Sequence, residues 1–71
     1  MKSTEIARVQ SYLRRILGNN GLSIQAPERK GQPVEVLVNG EFLGTIYRDE
    51  EDGEISYDLR ISILEEDLPA A

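Results

Sequence analysis

The chain has 71 residues with a formal net charge of −5, room for one domain, and at that length only roughly 60% of the surface exposed by the unfolded form is buried on folding. It contains no cysteine and no histidine, which excludes disulfides, thiolate nucleophiles and Cys-based zinc sites, fits a reducing compartment, and leaves carboxylates, Lys, Tyr and Ser/Thr for any chemistry. The opening MKSTEIARVQ lacks an apolar signal segment, and no run approaches the roughly 20 apolar residues of a membrane span, so a cytoplasmic location is expected.

In chain order, Ser3 is a candidate N-cap, Glu5 sits where a helix dipole favours an anion, and Gly18 follows the last apolar residue as a stop. A helix over 4–17 is predicted. Ile6, Val9, Leu13, Ile16 and Leu17 recur at three- and four-residue spacing as one apolar stripe, with Tyr12 at its border and Arg8, Ser11 and Arg15 on the far side. Asn19-Asn20-Gly21 is a turn, and Leu22, Ile24 and Ala26 alternate with polar residues as a short strand. A polar loop from Pro27 to Pro33 leads to a β-branched strand, Val34 to Val38. Asn39-Gly40 is a strong hairpin signal, because both residues tolerate positive φ. Glu41 to Arg48 is the third predicted strand, the acidic run from Asp49 to Glu54 a loop, and Ile55 to Leu64 a long fourth strand. The whole is a single α+β domain over 1–71: an N-terminal helix packed on a small, mostly antiparallel three- to four-stranded sheet in α-β-β-β-β order, with residues 65–71 a frayed acidic tail.

The hairpin at Asn39-Gly40 admits two registers. A two-residue turn sets Val38 opposite Glu41 and groups the valines with Leu43 and Tyr47, whereas a glycine bulge at Gly40 groups Val34 and Val36 with Phe42 and Ile46. Either way apolar side chains are left on the second face of the sheet: Leu37, Phe42 and Ile46 in the first case, Leu37, Leu43 and Tyr47 in the second. One helix covers one face, so these residues are candidate anchors for a protein partner or a second copy of the chain.

Charge is divided unevenly. Residues 1–31 carry six basic and two acidic side chains, a balance of +4, and residues 32–71 two basic and eleven acidic, a balance of −9. Asp49, Glu50, Glu51 and Asp52 are therefore candidates for steering a basic partner. A calcium loop does not fit the same run: with Gly53 at the glycine position of an EF-hand loop, Arg48 falls where the first ligand belongs and Leu59 where the bidentate glutamate belongs. Arg8, Arg14, Arg15, Arg29 and Lys30 could contact phosphates, and Tyr47 or Tyr57 could stack on bases, but the acidic balance opposes a nucleic-acid backbone. No nucleophile elbow, phosphate-binding glycine loop or metal-ligand spacing is present, so no enzyme activity, cofactor or metal is expected. Gly44 within a strand marks a bulge or a place where the helix comes close.

The segments Val9-Gln10-Ser11-Tyr12-Leu13-Arg14-Arg15, Glu41-Phe42-Leu43-Gly44, Arg48-Asp49-Glu50, Asp52-Gly53-Glu54-Ile55-Ser56-Tyr57 and Ile63-Leu64-Glu65-Glu66-Asp67-Leu68 are those through which the chain, from Ile6 to Leu68, resembles a family of short bacterial proteins, domain of unknown function 3126. Leu59-Arg60-Ile61 stands where that family has a more apolar segment. The resemblance implies a stand-alone small cytoplasmic protein and transfers no catalytic residue. The function expected from the residues is a non-enzymatic protein-protein interaction or self-association module, a homodimer in the latter case, that uses the sheet face away from the helix. The alternative is a nucleic-acid-associated accessory protein using Arg8, Arg15, Arg29 and Lys30.

Overall fold

A computed structural model describes residues 1–29 and 31–70. Helix α1 (Ser3–Leu17) is followed by strands β1 (Leu22–Gln25), β2 (Val34–Val38), β3 (Glu41–Glu51) and β4 (Glu54–Ile61). They form one antiparallel meander in the order β1-β2-β3-β4, the small α+β fold expected. Lys30, one of the candidate phosphate contacts, lies outside the described residues.

The helix begins one residue before the expected start, with Lys2 rather than Ser3 at the cap. The reason is Glu5: its carboxylate accepts the Lys2 backbone N–H at 3.0 Å, satisfying a donor that no preceding turn could, while the Ile6 N–H reaches the Lys2 carbonyl at 3.0 Å. At the other end Gly18 takes a left-handed φ of 63°, and the Asn19 N–H returns to the Arg14 carbonyl at 3.0 Å, closing the helix where the apolar stripe ends.

Neither expected hairpin register holds along the whole of β2 and β3. Asn39 (φ 53°) and Gly40 (φ 85°) make the two-residue turn, with Val38 opposite Glu41 and Leu37 opposite Phe42, but Val36 then faces Gly44 and Val34 faces Ile46. Leu43 is the extra residue of a β-bulge. Each half of the hairpin thus follows one of the two registers, and the bulge converts between them, turning Ile46 onto the face of Val34 and Val36. Gly44 sits beside that bulge, and the backbone approaching it belongs to β4 rather than the helix: a Cβ there would collide with the Arg60 carbonyl.

The acidic run is a second correction. Asp49, Glu50 and Glu51 are in β3, paired with Ser56, Ile55 and Glu54, and the turn is Asp52-Gly53 alone. Both turn residues have positive φ, 52° and 80°, so the hairpin closes over two residues and backbone pairing runs to its tip despite the weak strand preference of acidic side chains. β4 ends at Ile61 rather than Leu64, because its last partner on β3 is Gly44 and the bulge follows. Within the tail, Glu65–Asp67 make one 3-10 turn.

The buried core consists of Leu22, Ile24, Val34, Val36 and Ile46, all on the face that α1 covers. Ile6, Val9 and Leu13 lean onto it from the helix, and Val38, Leu43, Tyr57 and Leu59 from the sheet. No helical residue is itself buried, and Ile16 and Leu17 remain 54% exposed. Among the described residues, no helix is long and apolar enough to cross a membrane.

Candidate functional site

The structure separates the residues singled out as docking anchors. Ile46 is 2% exposed in the core and Leu43 packs against that core from the bulge, so Ile46 cannot anchor a partner on the second face. Leu37, Phe42 and Tyr47 do share that face: Leu37 is half-buried and opposite Phe42, Phe42 is 62% exposed, and the Tyr47 ring carries the Arg60 guanidinium 4.6 Å from its centroid. Asp49, Glu50, Glu51 and Asp52 stand exposed at the tip of the β3–β4 hairpin. Alternate strand positions send their side chains to opposite faces, and among the described residues no group of three or more carboxylates converges on a metal-sized site.

The two edges of the sheet differ. At β1 the helix serves as a cover: the Gln10 side-chain oxygen accepts the Ile24 N–H at 2.9 Å, and Arg14 Nε donates to the Leu22 carbonyl at 2.7 Å. Two outward-facing backbone groups of that edge are therefore occupied by side chains of α1. The sequence signals were present in Gln10 and Arg14, but both read simply as polar helix positions. At β4 no such cover exists among the described residues. In a two-residue hairpin the closing pair exchanges both hydrogen bonds, so the pairing of Glu51 with Glu54 fixes the alternation: Glu54, Ser56, Asp58 and Arg60 bond to β3, while the N–H and C=O groups of Ile55, Tyr57, Leu59 and Ile61 point outward. These four side chains also lie on the helix side of the sheet.

Because α1 approaches only β1 closely, the same side of β3 and β4 is left open. A groove of about 330 Å³ runs between helix and strands, floored by Ile46, Tyr57 and Leu59 and walled by Val9, Tyr12 and Leu13, with Glu5 and Arg8 at its mouth. Ile55 and Ile61 continue the floor along β4 at 49% and 46% exposure, and Ile63, 74% exposed, follows in the tail. Apolar surface that the one helix does not cover thus lies on the helix's own side too, over β3 and β4.

A cluster of polar contacts joins the helix to β3 and β4 beside the groove. Glu5 Oε2 accepts the Tyr57 hydroxyl at 2.5 Å and Arg48 Nε at 2.8 Å, while Arg48 Nη1 reaches Glu50 at 3.0 Å. The Glu5 side chain is only 16% exposed. The Tyr57 hydrogen bond, then the Lys2 N–H, then the Arg48 guanidinium hold its carboxyl down at about 2, against an opposing effect of partial burial. The Tyr57 hydroxyl is correspondingly raised, by its bond to Glu5 and by burial. The cluster has neither a free nucleophile nor a group poised to exchange protons near neutral pH; it is a strut between the first turn of α1 and the middle of the sheet.

An open edge strand beside an apolar groove, behind a single helix, defines a small α+β sheet module. Over residues 5–67 the chain matches the family described as "Protein of unknown function (DUF3126)", and it belongs to that family. No curated protein and no solved structure matches it.

Proposed function

We propose that this protein is a non-enzymatic protein-interaction module that takes a partner polypeptide along β4, working in the cytoplasm as its cysteine-free composition suggests. The observation that carries this reading is the open β4 edge, whose outward backbone groups belong to the same residues that continue the groove floor, Ile55, Tyr57, Leu59 and Ile61. A strand added there gains main-chain hydrogen bonds and sets alternate side chains beside an apolar row, which is how strand addition obtains affinity and specificity together. Exposed edges are usually blunted or covered; here β1 is covered and, among the described residues, β4 is not. The acidic hairpin tip, Asp49 to Asp52, steers a positively charged surface toward that edge.

The test compares the wild-type chain with an Ile55→Lys/Ile61→Lys variant, both checked for native circular dichroism, as bait for binding components of source-cell lysate. Captured polypeptides are then purified and titrated. A saturable one-to-one complex with another protein, or with the chain itself, that is lost in the variant supports the reading. Purified chain that stays monomeric, with every captured component bound equally by the variant, contradicts it.

A further inference from the structure

We infer that the polypeptide taken up at β4 is a second copy of this chain, added antiparallel so that two four-stranded sheets join into one of eight strands with Leu59 on the two-fold axis. The inference rests on the reading of β4 as the docking edge and names its occupant.

The argument begins with parity. On β4 the outward hydrogen-bonding residues are the odd-numbered ones, so an antiparallel copy can be centred on any residue, with a hydrogen-bonded pair at the axis for an odd one and a non-bonded pair for an even one; near the middle of the strand the choices are Tyr57, Asp58 and Leu59. Centring on Asp58 places two carboxylates directly opposite each other, which is destabilising. Centring on Tyr57 sets Glu54 opposite Arg60 and Ile55 opposite Leu59, but uses neither Ile61 nor Ile63 in an apolar pair. Centring on Leu59 satisfies both faces. On the helix side Leu59 meets Leu59, Tyr57 meets Ile61 and Ile55 meets Ile63; on the other side each Asp58 meets an Arg60 and each Ser56 a Ser62. Residues 62–64, which have no partner on β3, become part of the ladder, and the 74% exposure of Ile63 finds a cause.

The charge distribution agrees with that orientation. Glu5 contacts Arg48 and Tyr57 toward the acidic hairpin tip, whereas Arg14 contacts Leu22, which is paired with Val38 next to the Asn39-Gly40 turn. The helix therefore runs with its basic C-terminal end, Arg14 and Arg15, at the end of the sheet opposite the acidic tip. Antiparallel addition opposes the two charge dipoles, bringing each acidic tip to the end where the other copy carries its arginines. Because the β1 edge is occupied by Gln10 and Arg14, the assembly closes at two copies instead of growing into a filament.

The cysteine-free chain makes the register directly testable. Ile55→Cys and Ile63→Cys, each at an exposed position and each verified by circular dichroism, are oxidised separately and as a mixture. The Leu59-centred dimer predicts a disulfide-linked species in the mixture and little in either alone; Ile55→Cys linking to Leu59→Cys or Ile61→Cys in preference to Ile63→Cys would overturn the register. Sedimentation equilibrium is predicted to give twice the 8.0 kDa chain mass, with Asp58→Arg and Arg60→Asp each weakening the dimer about tenfold and the double exchange restoring it. A mass of 8.0 kDa at all concentrations would overturn the self-pairing. In that event, loss of a heterologous complex in Ile55→Lys/Ile61→Lys leaves the interaction reading standing, and equal capture by the variant removes both.

Discussion

The Tyr57 hydroxyl donates to the Glu5 carboxylate at 2.5 Å, joining positions 52 residues apart. That bond, with the Arg48–Glu5 ion pair beside it at 2.8 Å, ties the first turn of the helix to β3 and β4 while the rest of the helix sits over β1. The groove lies between helix and strands beside this strut, with Glu5 at its mouth and Tyr57 on its floor.

The strut has a pH signature. The folded-state pKa of Glu5 is depressed from 4.5 to about 2, so its contribution to stability is complete above pH ~4.5 and is lost as pH falls toward ~2. Glu5→Gln is predicted to lower Tm at pH 7 and to flatten the dependence of Tm on pH between those values. Tyr57→Phe, which keeps the ring and removes the donor, is predicted to move the Glu5 carboxyl back toward its ordinary range in an NMR titration.

The core is small enough for one truncation to threaten the fold. Leu22 and Val36 are fully buried, and removing the Leu22 side chain beyond Cβ costs roughly 2–5 kcal/mol, against a total of about 4–11 kcal/mol for a chain of this size. Urea unfolding of Leu22→Ala is predicted to show a midpoint shifted sharply downward or a protein already partly unfolded in buffer.

Gly44 is a packing requirement, because a Cβ there meets the backbone of Arg60 on the neighbouring strand. Gly44→Ala is predicted to cost roughly 1–3 kcal/mol in urea unfolding, the strain falling on the β3–β4 pairing next to the bulge.

The elements were legible in the sequence, as were the helix stop at Gly18 and the Asn39-Gly40 turn, whereas the second hairpin and the register within the first were not. Three- and four-residue apolar spacing marked the helix, alternation marked the strands, and Asn39-Gly40 marked the first hairpin. The second hairpin carried an equivalent signal in Asp52-Gly53, but it lay inside an acidic run whose weak strand propensity masked it. Ile46 was ambiguous because Gly44 signalled a bulge or a close approach without saying which: the packing of Val34, Val36 and Ile46 on one face decides that the register shifts beside it, at Leu43. Exposed apolar residues were anticipated on the second face, where Phe42 and Tyr47 lie, but not on the helix side of β4, where Ile55 and Ile61 are also exposed. Amphipathicity shows that a helix has an apolar stripe, but the choice of β1 as its seat depends on Gln10 and Arg14 reaching that strand's free backbone groups.

Covering the β1 edge should be measurable one amide at a time. Gln10→Ala removes the acceptor of the Ile24 N–H, and is predicted to cost roughly 0.5–1.5 kcal/mol and to speed hydrogen exchange at Ile24 selectively, leaving the β3–β4 ladder unchanged.

The most direct test of the central claim, that β4 is the edge at which this protein associates, is residue-resolved amide hydrogen exchange as a function of protein concentration. Ser56, Asp58 and Arg60, bonded to β3, are predicted to be protected at every concentration. Ile55, Tyr57, Leu59 and Ile61 are predicted to be unprotected when dilute and to gain protection together as the dimer forms. Outward amides that exchange at one unprotected rate across the whole range would contradict it.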